Sequence, residues 1–410
     1  MTRLISKIHT GSTMAKIPIT QDSLSRDFQV IRTMEMHTTG EPTRIIYSGF
    51  PQSNSITLLQ KRADAKANHD HYRRRVMLEP RGHREMFGAL LVRETELTAT
   101  GEADIGVLFM HCEGWPSMCG HATMGLGRFL ADFIPENPTD ILLSRKLIID
   151  DTTMTTLIKL HCPCGIVDIT VPIARNLQGQ LRSDPDRAVS FLSVQSFVTG
   201  IAIEIPLPSE HRWPELGERS KVTVDFCFGG AFYCVIEVRE LGFRELDKSG
   251  LEAVSQATKA LKAAITANPQ FTHLYRHDDE IDLGFLYGII ASDDQKGAPT
   301  SNSSGAETGL CFFGPHQIDR SPCGSGTAAR RALAHAKGMA PESRWTYHSL
   351  ISTAFLGQGA FTAYIASDLK AAFAIRNPVR VHVEGQAFYT GSAYFLTEQM
   401  DTIGSAGFLI

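Results

Sequence analysis

Ser117-Met118-Cys119-Gly120-His121-Ala122-Thr123 and Ser321-Pro322-Cys323-Gly324-Ser325-Gly326-Thr327 are the two segments that decide the fold. Their cysteines, Cys119 and Cys323, lie 204 residues apart. The same offset also aligns the following glycines, a threonine and an upstream pair of apolar residues. In each half of the chain an apolar, strand-like run comes first, then a loop, then the cysteine and a helix-like run. The sequence therefore predicts that one strand–loop–helix unit occurs twice.

Both cysteines are predicted to lie in the first turn of a helix. Ser117 and Ser321 are natural N-cap residues, and Pro322 suits the first helical position. The backbone N–H groups of a first turn have no partner within the helix, so they form a site for an anion such as a carboxylate. We expect the helix N-terminus to lower the pKa of both thiols. We also expect the glycine after each cysteine to let a ligand approach the backbone closely.

Two matching thiols can perform a reaction that a single thiol cannot. A lone cysteine is usually a small buried apolar residue. Two thiols on opposite sides of a substrate can invert a carbon centre, because one thiolate removes a proton while the other thiol delivers a proton to the opposite face. A carboxylate held by both helix N-termini stabilises the carbanion that forms. This geometry places the sulfurs roughly 7 Å apart, too far for the S–S bond of about 2.05 Å.

Length and composition exclude several classes of protein. The 410 residues suffice for two or three domains, and 43% hydrophobic and 20% charged residues exclude a disordered chain. A net charge of −4 argues against nucleic-acid binding, and no apolar run approaches the roughly 18 residues of a membrane span. Eight cysteines without a secretory signal favour a reduced, cytoplasmic protein. Residues 1–28 faintly resemble a mitochondrial transit peptide, and a loose N-terminal extension is the simpler interpretation.

The pattern along the chain predicts an α+β fold with many short strands. Strand-like runs cover residues 30–36, 44–47, 88–92, 105–110, 157–161 and 166–171, and then 361–365, 379–383 and 393–397. Helix-like runs cover residues 117–130, 250–267 and 321–337. Residues 295–309 are rich in Ser, Gly, Thr and Pro and are predicted to form a surface insertion. A domain boundary is predicted near residues 198–204.

The two cysteine segments closely resemble the two signatures of the proline racemase family. The resemblance is carried by Met118-Cys119-Gly120-His121 and by Asp319-Arg320-Ser321-Pro322-Cys323-Gly324-Ser325-Gly326-Thr327. Three other stretches are similar to the family: Met36-His37-Thr38-Thr39-Gly40-Glu41-Pro42, Glu79-Pro80-Arg81-Gly82-His83 and Phe228-Gly229-Gly230-Ala231-Phe232-Tyr233. The family includes proline racemase, 4-hydroxyproline 2-epimerase and trans-3-hydroxy-L-proline dehydratase. The resemblance covers nearly all of the chain after residue 28. Within the family, the chain resembles a fungal- or animal-like member with cysteine at both sites.

This resemblance implies a fold, a reaction and a set of site residues. The implied fold is diaminopimelate-epimerase-like, with two pseudo-symmetric β-rich domains, a central helix in each, and the active site in the cleft between them. Cys119 and Cys323 would be the acid–base pair, without a cofactor or a metal ion. Asp319 would face the substrate amine, although outside the family it is an ordinary loop or capping carboxylate. The substrate carboxylate would be held, largely by backbone N–H groups, at Gly120, His121, Gly324 and Ser325.

The predicted domains and partners follow from the same resemblance. Residues 1–28 form an extension. Residues 29–200 form the N-terminal domain with Cys119, completed by C-terminal strands at about residues 379–410. Residues 201–378 form the C-terminal domain with Cys323. The expected partner is a small-molecule substrate, proline or hydroxyproline, and neither a nucleic acid nor a membrane; a homodimer is left open.

The sequence combines features of two branches of the family. Its general run, including residues 72–83, 161–165 and 386–391, resembles the trans-3-hydroxy-L-proline dehydratases. Those dehydratases typically carry Thr or Ser at the second site, where this chain has Cys323, as racemases and epimerases do. A dehydratase needs no thiol on the far face, because hydroxide leaves instead of a proton arriving. We therefore predict a proline racemase or hydroxyproline 2-epimerase, with dehydration to Δ1-pyrroline-2-carboxylate as the alternative.

An alternative of another class is a non-catalytic zinc or redox-sensing thiol protein. His161-Cys162-Pro163-Cys164 resembles half of a zinc site, but no second pair at the required spacing accompanies it, although His111-Cys112 lies upstream. A β-turn with buried thiols is the simpler interpretation. Stoichiometric zinc bound by Cys119 or Cys323 would contradict proton transfer, because a metal-bound thiolate cannot shuttle protons. The sequence shows no nucleotide-binding fingerprint and no lysine in a context that singles it out for pyridoxal phosphate.

Overall fold

The computed structural model describes residues 28–133, 147–278, 280–314, 317–366, 377–398 and 400–410. The predicted N-terminal extension therefore lies outside the described residues, except for residue 28. The strands are β1 (Phe28–Thr38), β2 (Glu41–Ser48), β3 (Phe87–Val92), β4 (Ile105–His111), β5 (Ile149–Asp150), β6 (Thr155–Cys162), β7 (Gly165–Arg175), β8 (Leu181–Ser183), β9 (Val189–Leu192), β10 (Phe197–Pro206), β11 (Lys221–Phe228), β12 (Phe232–Glu237), β13 (Leu286–Asp293), β14 (Gly305–Phe313), β15 (Gln317–Ile318), β16 (Trp345–His348), β17 (Phe361–Ile365), β18 (Val381–Gly385) and β19 (Ala387–Glu398). The α-helices are α1 (Leu58–Asn68), α2 (Asp70–Met77), α3 (Glu96–Ala99), α4 (Gly120–Asp132), α5 (Leu251–Ala267), α6 (Gly324–Ala336), α7 (Leu350–Ala354) and α8 (Thr402–Ala406).

The strands form two sets that repeat the same arrangement. In the first set the order is β19, β1, β2, β3, β4, β6, β7, β9. In the second set it is β10, β11, β12, β13, β14, β16, β17, β18. From β1 to β9 and from β11 to β18 the successive pairs are antiparallel, parallel, antiparallel, parallel, antiparallel and antiparallel. The two halves of the chain therefore share one topology, as the repeat of the cysteine segments predicts.

The two sets exchange strands and are joined to each other. β10 follows β9 along the chain but pairs with β11, in the second set. β19 follows β18 along the chain but pairs with β1, in the first set. β9 and β18 pair antiparallel with each other and so connect the two sets. The boundaries of the domains given above stay a prediction.

Each strand set packs around one helix, α4 in the first and α6 in the second. In α4 the side chains from Gly120 to Leu130 are all buried, which is the pattern of a helix enclosed by its sheet rather than lying on a surface. Small residues permit this enclosure, since a Cβ at Gly127 would lie 2.7 Å from the Ile169 side chain. In α6 the fully buried Arg331 donates hydrogen bonds to three backbone carbonyls, those of Ala340, Pro341 and Ser343.

The starts of α4 and α6 differ from the sequence prediction. The helices begin at Gly120 and Gly324, and the cysteines themselves occupy the N-cap positions. The predicted caps are wrong because their hydroxyls are used elsewhere. Ser117 Oγ donates to the Gly230 carbonyl at 2.8 Å, and Ser321 Oγ donates to Asp319 Oδ1 at 2.7 Å. Pro322 precedes the helix and is not its first residue, and neither cysteine lies inside the first turn.

The predicted surface insertion at residues 295–309 is wrong in its last part. β14 begins at Gly305, and its residues pair with β13 and β16. The glycines that indicated a loop are packing positions in a strand. A Cβ at Gly309 would lie 2.1 Å from the Arg330 guanidinium, and one at Gly305 would meet the Trp345 ring at the same distance.

Candidate active site

The N-termini of the two central helices meet at their first residues. A Cβ built on Gly120 would lie 2.4 Å from Gly324 Cα, and one built on Gly324 would lie 2.5 Å from Gly120 Cα. Both glycines are therefore needed for the close approach of two backbones. The sequence alone indicated only that they let a ligand approach the backbone. Because each helix carries unpaired N–H groups and a partial positive charge at this end, two anion-attracting termini converge on one point.

Cys119 lies at this point and is nearly inaccessible to solvent. Its Sγ accepts a hydrogen bond from the Ala122 N–H at 3.4 Å, and His121 Nδ1 lies 3.2 Å from the same sulfur. Burial raises the pKa of the Cys119 thiol well above its usual value; the Ala122 N–H acts against this shift, and the charges of Asp319 and Cys323 add to it. The expected lowering of the Cys119 pKa is therefore wrong, because loss of solvation outweighs the helix N-terminus.

His121 is buried, and its neutral form is favoured. Burial lowers the pKa of the His121 imidazole, while the charge of Asp319 and a hydrogen bond to the Pro42 backbone act in the opposite direction. Its ring packs edge-on against Phe87, with 4.8 Å between ring centroids. Its carbonyl accepts a hydrogen bond from Thr38 Oγ1 at 3.0 Å, which ties the start of α4 to β1. His121 is thus enclosed beside Cys119.

Cys323 occupies the equivalent position before α6, in a different backbone conformation. Its φ is +64°, a left-handed value that few residues other than glycine adopt. Its Sγ lies 3.6 Å from the Tyr233 hydroxyl, which forms a 2.6 Å hydrogen bond with Ser325 Oγ. A Cβ at Gly326 would lie 2.9 Å from Cys323 Sγ, so that glycine leaves room for the thiol.

Two buried carboxyl groups stand beside the cysteines. Asp319 Oδ1 accepts hydrogen bonds from the N–H and the hydroxyl of Ser321, at 2.8 and 2.7 Å. Asp319 Oδ2 lies 3.9 Å from His121 Nδ1, on the side of the other half of the chain. Glu41 Oε2 accepts the Arg320 N–H at 2.8 Å. Burial raises the pKa of Glu41 well above its usual value, and the neighbouring charge of Asp319 raises it further.

Four rings form what we call the aromatic wall: Phe87, His111, Tyr287 and Phe313. Phe87 and His111 are directly opposite each other on β3 and β4, in the first half of the chain. Tyr287 and Phe313 come from β13 and β14 in the second half, and their rings stack with 5.5 Å between centroids. His111 connects the two pairs, at 5.5 Å from Phe87 and 5.6 Å from Phe313.

The structure brings every predicted site residue to this junction, and it adds groups that sequence reasoning missed. Cys119, Gly120, His121, Asp319, Cys323, Gly324 and Ser325 all lie at or beside the meeting helix termini. The added groups are Glu41, Tyr233 and the aromatic wall. Glu41 and Tyr233 stand in stretches that resemble the family, which was the signal available for them.

His161 and Cys162 end β6, and Pro163 and Cys164 form the turn that leads into β7. His161 Nδ1 forms a 2.9 Å hydrogen bond with Thr95 Oγ1, and Cys162 is fully buried. Within the described ranges, one group of three ligand-type side chains lies within 4.8 Å: Glu237, Asp293 and Asp294. These acids pair with Arg239. No helix in the described part of the chain is long and apolar enough to cross a membrane.

This arrangement suits acid–base chemistry on a small carboxylate. Two thiols flank the junction of two helix N-termini, a carboxylate and a neutral imidazole lie beside them, and an aromatic wall closes one side. The N–H groups can hold an anion, Asp319 can hold a cation, and each thiol can give or take a proton.

Comparisons with known proteins agree with this geometry. The protein-family model for proline racemase matches residues 33–408 of this chain. The chain is 38% identical over 388 residues to the trans-L-3-hydroxyproline dehydratase of Pongo abelii, covering 93% of this chain and 95% of that protein. It is 37% identical over 388 residues to the trans-3-hydroxy-L-proline dehydratase of Homo sapiens, with the same coverage of 93% and 95%.

Solved structures show the fold. A hydroxyproline epimerase from Agrobacterium vitis with bound trans-4-hydroxy-L-proline matches with a TM-score of 0.74 and 20% identity, covering 94% of this chain and 96% of that chain. A probable proline racemase from Agrobacterium radiobacter with bound carbonate matches with a TM-score of 0.72 and 20% identity, covering 93% and 96%. The predicted diaminopimelate-epimerase-like α+β fold is confirmed. The proline racemase family model matches residues 33–408, and the dehydratases named above are close in sequence over most of the chain. Together these matches show that the chain belongs to the proline racemase family.

Proposed function

We propose that the protein is a cofactor-independent proline racemase or hydroxyproline 2-epimerase that inverts the α-carbon of its substrate by two-thiol proton transfer. The observation that carries the proposal is the placement of Cys119 and Cys323 at the caps of two helices whose first residues touch. One thiolate removes the α-proton, and the opposite thiol delivers a proton to the other face. The relatives and the family support a small amino acid as the substrate class.

The polar groups of the site position such a substrate. Its carboxylate is held by the N–H groups that follow the cysteines, at Gly120, His121, Gly324 and Ser325, and these groups also stabilise the carbanion. Its protonated ring nitrogen faces Asp319. Because Ser321 donates its hydrogen bonds to Oδ1 of this carboxylate, Oδ2 accepts the hydrogen bond from the substrate. This places the α-carbon between the two sulfurs.

The buried environment makes the thiolate a stronger base. Because desolvation raises the pKa of Cys119, its thiolate, once formed, has a higher affinity for a proton than one exposed to water. The Ala122 N–H, which donates to Cys119 Sγ at 3.4 Å, replaces part of the lost solvation. The α-proton of an amino acid is weakly acidic, so a strongly basic thiolate suits this step.

Dehydration of trans-3-hydroxy-L-proline is the second candidate function. It is favoured by the names of the relatives at 37% and 38% identity. Against it stands Cys323, a far-face proton donor that dehydration does not require. Both reactions begin with the same α-proton abstraction and differ in whether a proton arrives or hydroxide leaves. The cytoplasmic location and a homodimer stay predictions.

A comparison of three substrates decides between the two functions. L-Proline, trans-4-hydroxy-L-proline and trans-3-hydroxy-L-proline are incubated separately with the protein while optical rotation and imine formation are followed. We expect inversion of the first two, because Cys323 supplies the far-face proton, with dehydration of the third as a second activity. Dehydration of the third without a change of rotation in the others would show that the dehydratase alternative is correct.

Cys323→Thr is the companion to this assay. The variant should lose inversion and keep dehydration, because it retains the base at Cys119 but lacks an acidic group on the far face. Loss of both reactions, in a variant that still unfolds cooperatively at the temperature of the unchanged protein, would contradict this assignment of the two thiols.

Pyrrole-2-carboxylate should bind as an analogue of the planar carbanion. We expect it to protect Cys119 and Cys323 together from iodoacetamide, because both thiols face the same ligand. Peptide mapping by mass spectrometry after partial alkylation measures each site separately. Protection of one cysteine alone would argue against a shared site.

A further inference from the structure

The aromatic wall spans the gap between the two cysteines. At one end the Phe87 ring lies 4.8 Å from the ring of His121, which contacts the sulfur of Cys119. At the other end the Tyr287 ring lies 5.7 Å from the ring of Tyr233. The Tyr233 hydroxyl in turn lies 3.6 Å from the Cys323 sulfur. A substrate with its α-carbon between the sulfurs therefore has this wall as a neighbour for its ring.

His111 has a polar ring edge within the wall, and its ring lies 6.4 Å from the ring of Tyr287, whose hydroxyl is the wall's other polar group. The protonation state of the His111 ring is fixed. Its Nδ1 accepts a hydrogen bond from the Glu113 N–H at 3.1 Å. Burial lowers the pKa of His111 to about 3, and the charges of Arg73 and Lys262 act in the same direction. The imidazole is therefore neutral at physiological pH, and its one proton is on Nε2, because Nδ1 serves as an acceptor.

The Nε2–H of His111 is a donor without an acceptor in the part of the chain that the structure describes. The rings around it are Phe87, Phe313 and Tyr287. Its backbone is held in place, since Arg73 Nη1 donates to the His111 carbonyl at 2.8 Å. A neutral donor of fixed position in an aromatic wall loses a hydrogen bond whenever an apolar ring displaces the water beside it.

We propose that the Nε2–H of His111 donates a hydrogen bond to the ring hydroxyl of a hydroxylated proline, and that it thereby selects hydroxyprolines over proline. This inference rests on the proposed function, since it assumes a proline ring between the two thiols. A hydroxyl oxygen gives the donor its partner, whereas the unsubstituted ring leaves it unpaired. A site built to bond a hydroxyl discriminates strongly against the analogue that lacks one. His111 is a specificity residue here and takes no proton from the α-carbon.

The test compares ligands with and without the hydroxyl in His111→Phe. The variant keeps the aromatic surface of the wall and removes the donor. We measure kcat/KM for α-proton exchange in D2O with trans-3- and trans-4-hydroxy-L-proline and with L-proline, and Kd for pyrrole-2-carboxylate, which has no hydroxyl. We expect kcat/KM for at least one hydroxyproline to fall roughly tenfold to a hundredfold, the loss of one buried hydrogen bond. The isomer affected identifies the ring carbon that faces His111.

The ligands without a hydroxyl provide the control. Binding of pyrrole-2-carboxylate and exchange of L-proline should fall less than exchange of the affected hydroxyproline, because neither ligand offers the hydroxyl that His111 would bond. His111→Gln, which retains an N–H donor, should recover part of the hydroxyproline rate. Unchanged hydroxyproline kinetics in His111→Phe, or an equal loss with every ligand, overturns the role of His111 alone. Absence of exchange with all three substrates in the unchanged protein overturns the proposed function and this inference with it.

Discussion

Replacing either cysteine of the pair by serine should reduce inversion by roughly 10²- to 10⁴-fold, the contribution usual for a positioned acid or base. A serine hydroxyl is far less acidic than a thiol, so Cys119→Ser loses the base for one face and Cys323→Ser loses the donor for the other. The two variants should be affected to a similar extent, because inversion in either direction uses both groups. Polarimetry with each enantiomer of the substrate measures the loss.

Cys164→Ser is the matched control for this pair. Cys164 is partly exposed at the turn between β6 and β7, and the proposed reaction assigns it no role. This variant should retain activity within about twofold. If either variant of the pair kept more than about a tenth of the activity, inversion would need a different proton carrier on that face.

Gly120→Ala and Gly324→Ala should each abolish activity and lower stability by about 1–3 kcal/mol or more. In each variant the added Cβ would lie 2.4–2.5 Å from the Cα of the facing glycine. Backbone atoms cannot swing aside as a flexible side chain does, so the two helix N-termini must separate. Their separation moves Cys119 away from Cys323. Urea denaturation measures the loss of stability, and the exchange assay measures the loss of activity.

Gly125→Ala, in the same helix as Gly120, distinguishes this steric effect from a general intolerance of the helix. A Cβ at Gly125 would make an ordinary contact of 3.5 Å with Met36 Sδ. Alanine is a better helix former than glycine, so this variant should be neutral or up to about 1 kcal/mol more stable. Equal behaviour of Gly120→Ala and Gly125→Ala would contradict the requirement for contact between the termini.

The sequence was most informative about the two central helices and the cysteines before them. The spacing of Cys119 and Cys323 predicted a repeated unit, and the strand pairing of the two halves has that form. The helix starts were wrong by a few residues, because cap preference at Ser117 and Ser321 does not include the tertiary hydrogen bonds that occupy their hydroxyls.

The helices α1 and α2 gave no periodic signal that the sequence analysis could use. The apolar stripe that identifies a surface helix is weak in α1, and α2 is only eight residues long and carries three consecutive arginines. Part of what holds α2 in place is polar. Arg73 is buried, pairs with Asp70 at 2.6 Å and donates to the His111 carbonyl. A buried arginine of this kind cannot be recognised from sequence as part of an interior.

The remaining parts of the site depend on contacts between distant segments. Glu41 meets Arg320 and Asp319 across the two halves, and Tyr233 meets Cys323 from a neighbouring strand. The raised pKa of Cys119 was also beyond sequence reasoning. The helix N-terminus is visible in the sequence, but the burial that outweighs it is a property of the assembled fold.

Exchange of the α-proton in D2O tests the central claim most directly. The protein is incubated in D2O with L-proline, trans-4-hydroxy-L-proline and trans-3-hydroxy-L-proline, and the Cα–H signal is followed by NMR. Two-thiol proton transfer predicts deuterium at the α-carbon of at least one substrate together with formation of its epimer. It predicts no epimer in either serine variant, with α-proton exchange of these L-substrates lost in Cys119→Ser and retained in Cys323→Ser, which keeps the base at Cys119. If no substrate exchanges its α-proton, or if exchange persists in both variants, the account of Cys119 and Cys323 as the acid–base pair is wrong.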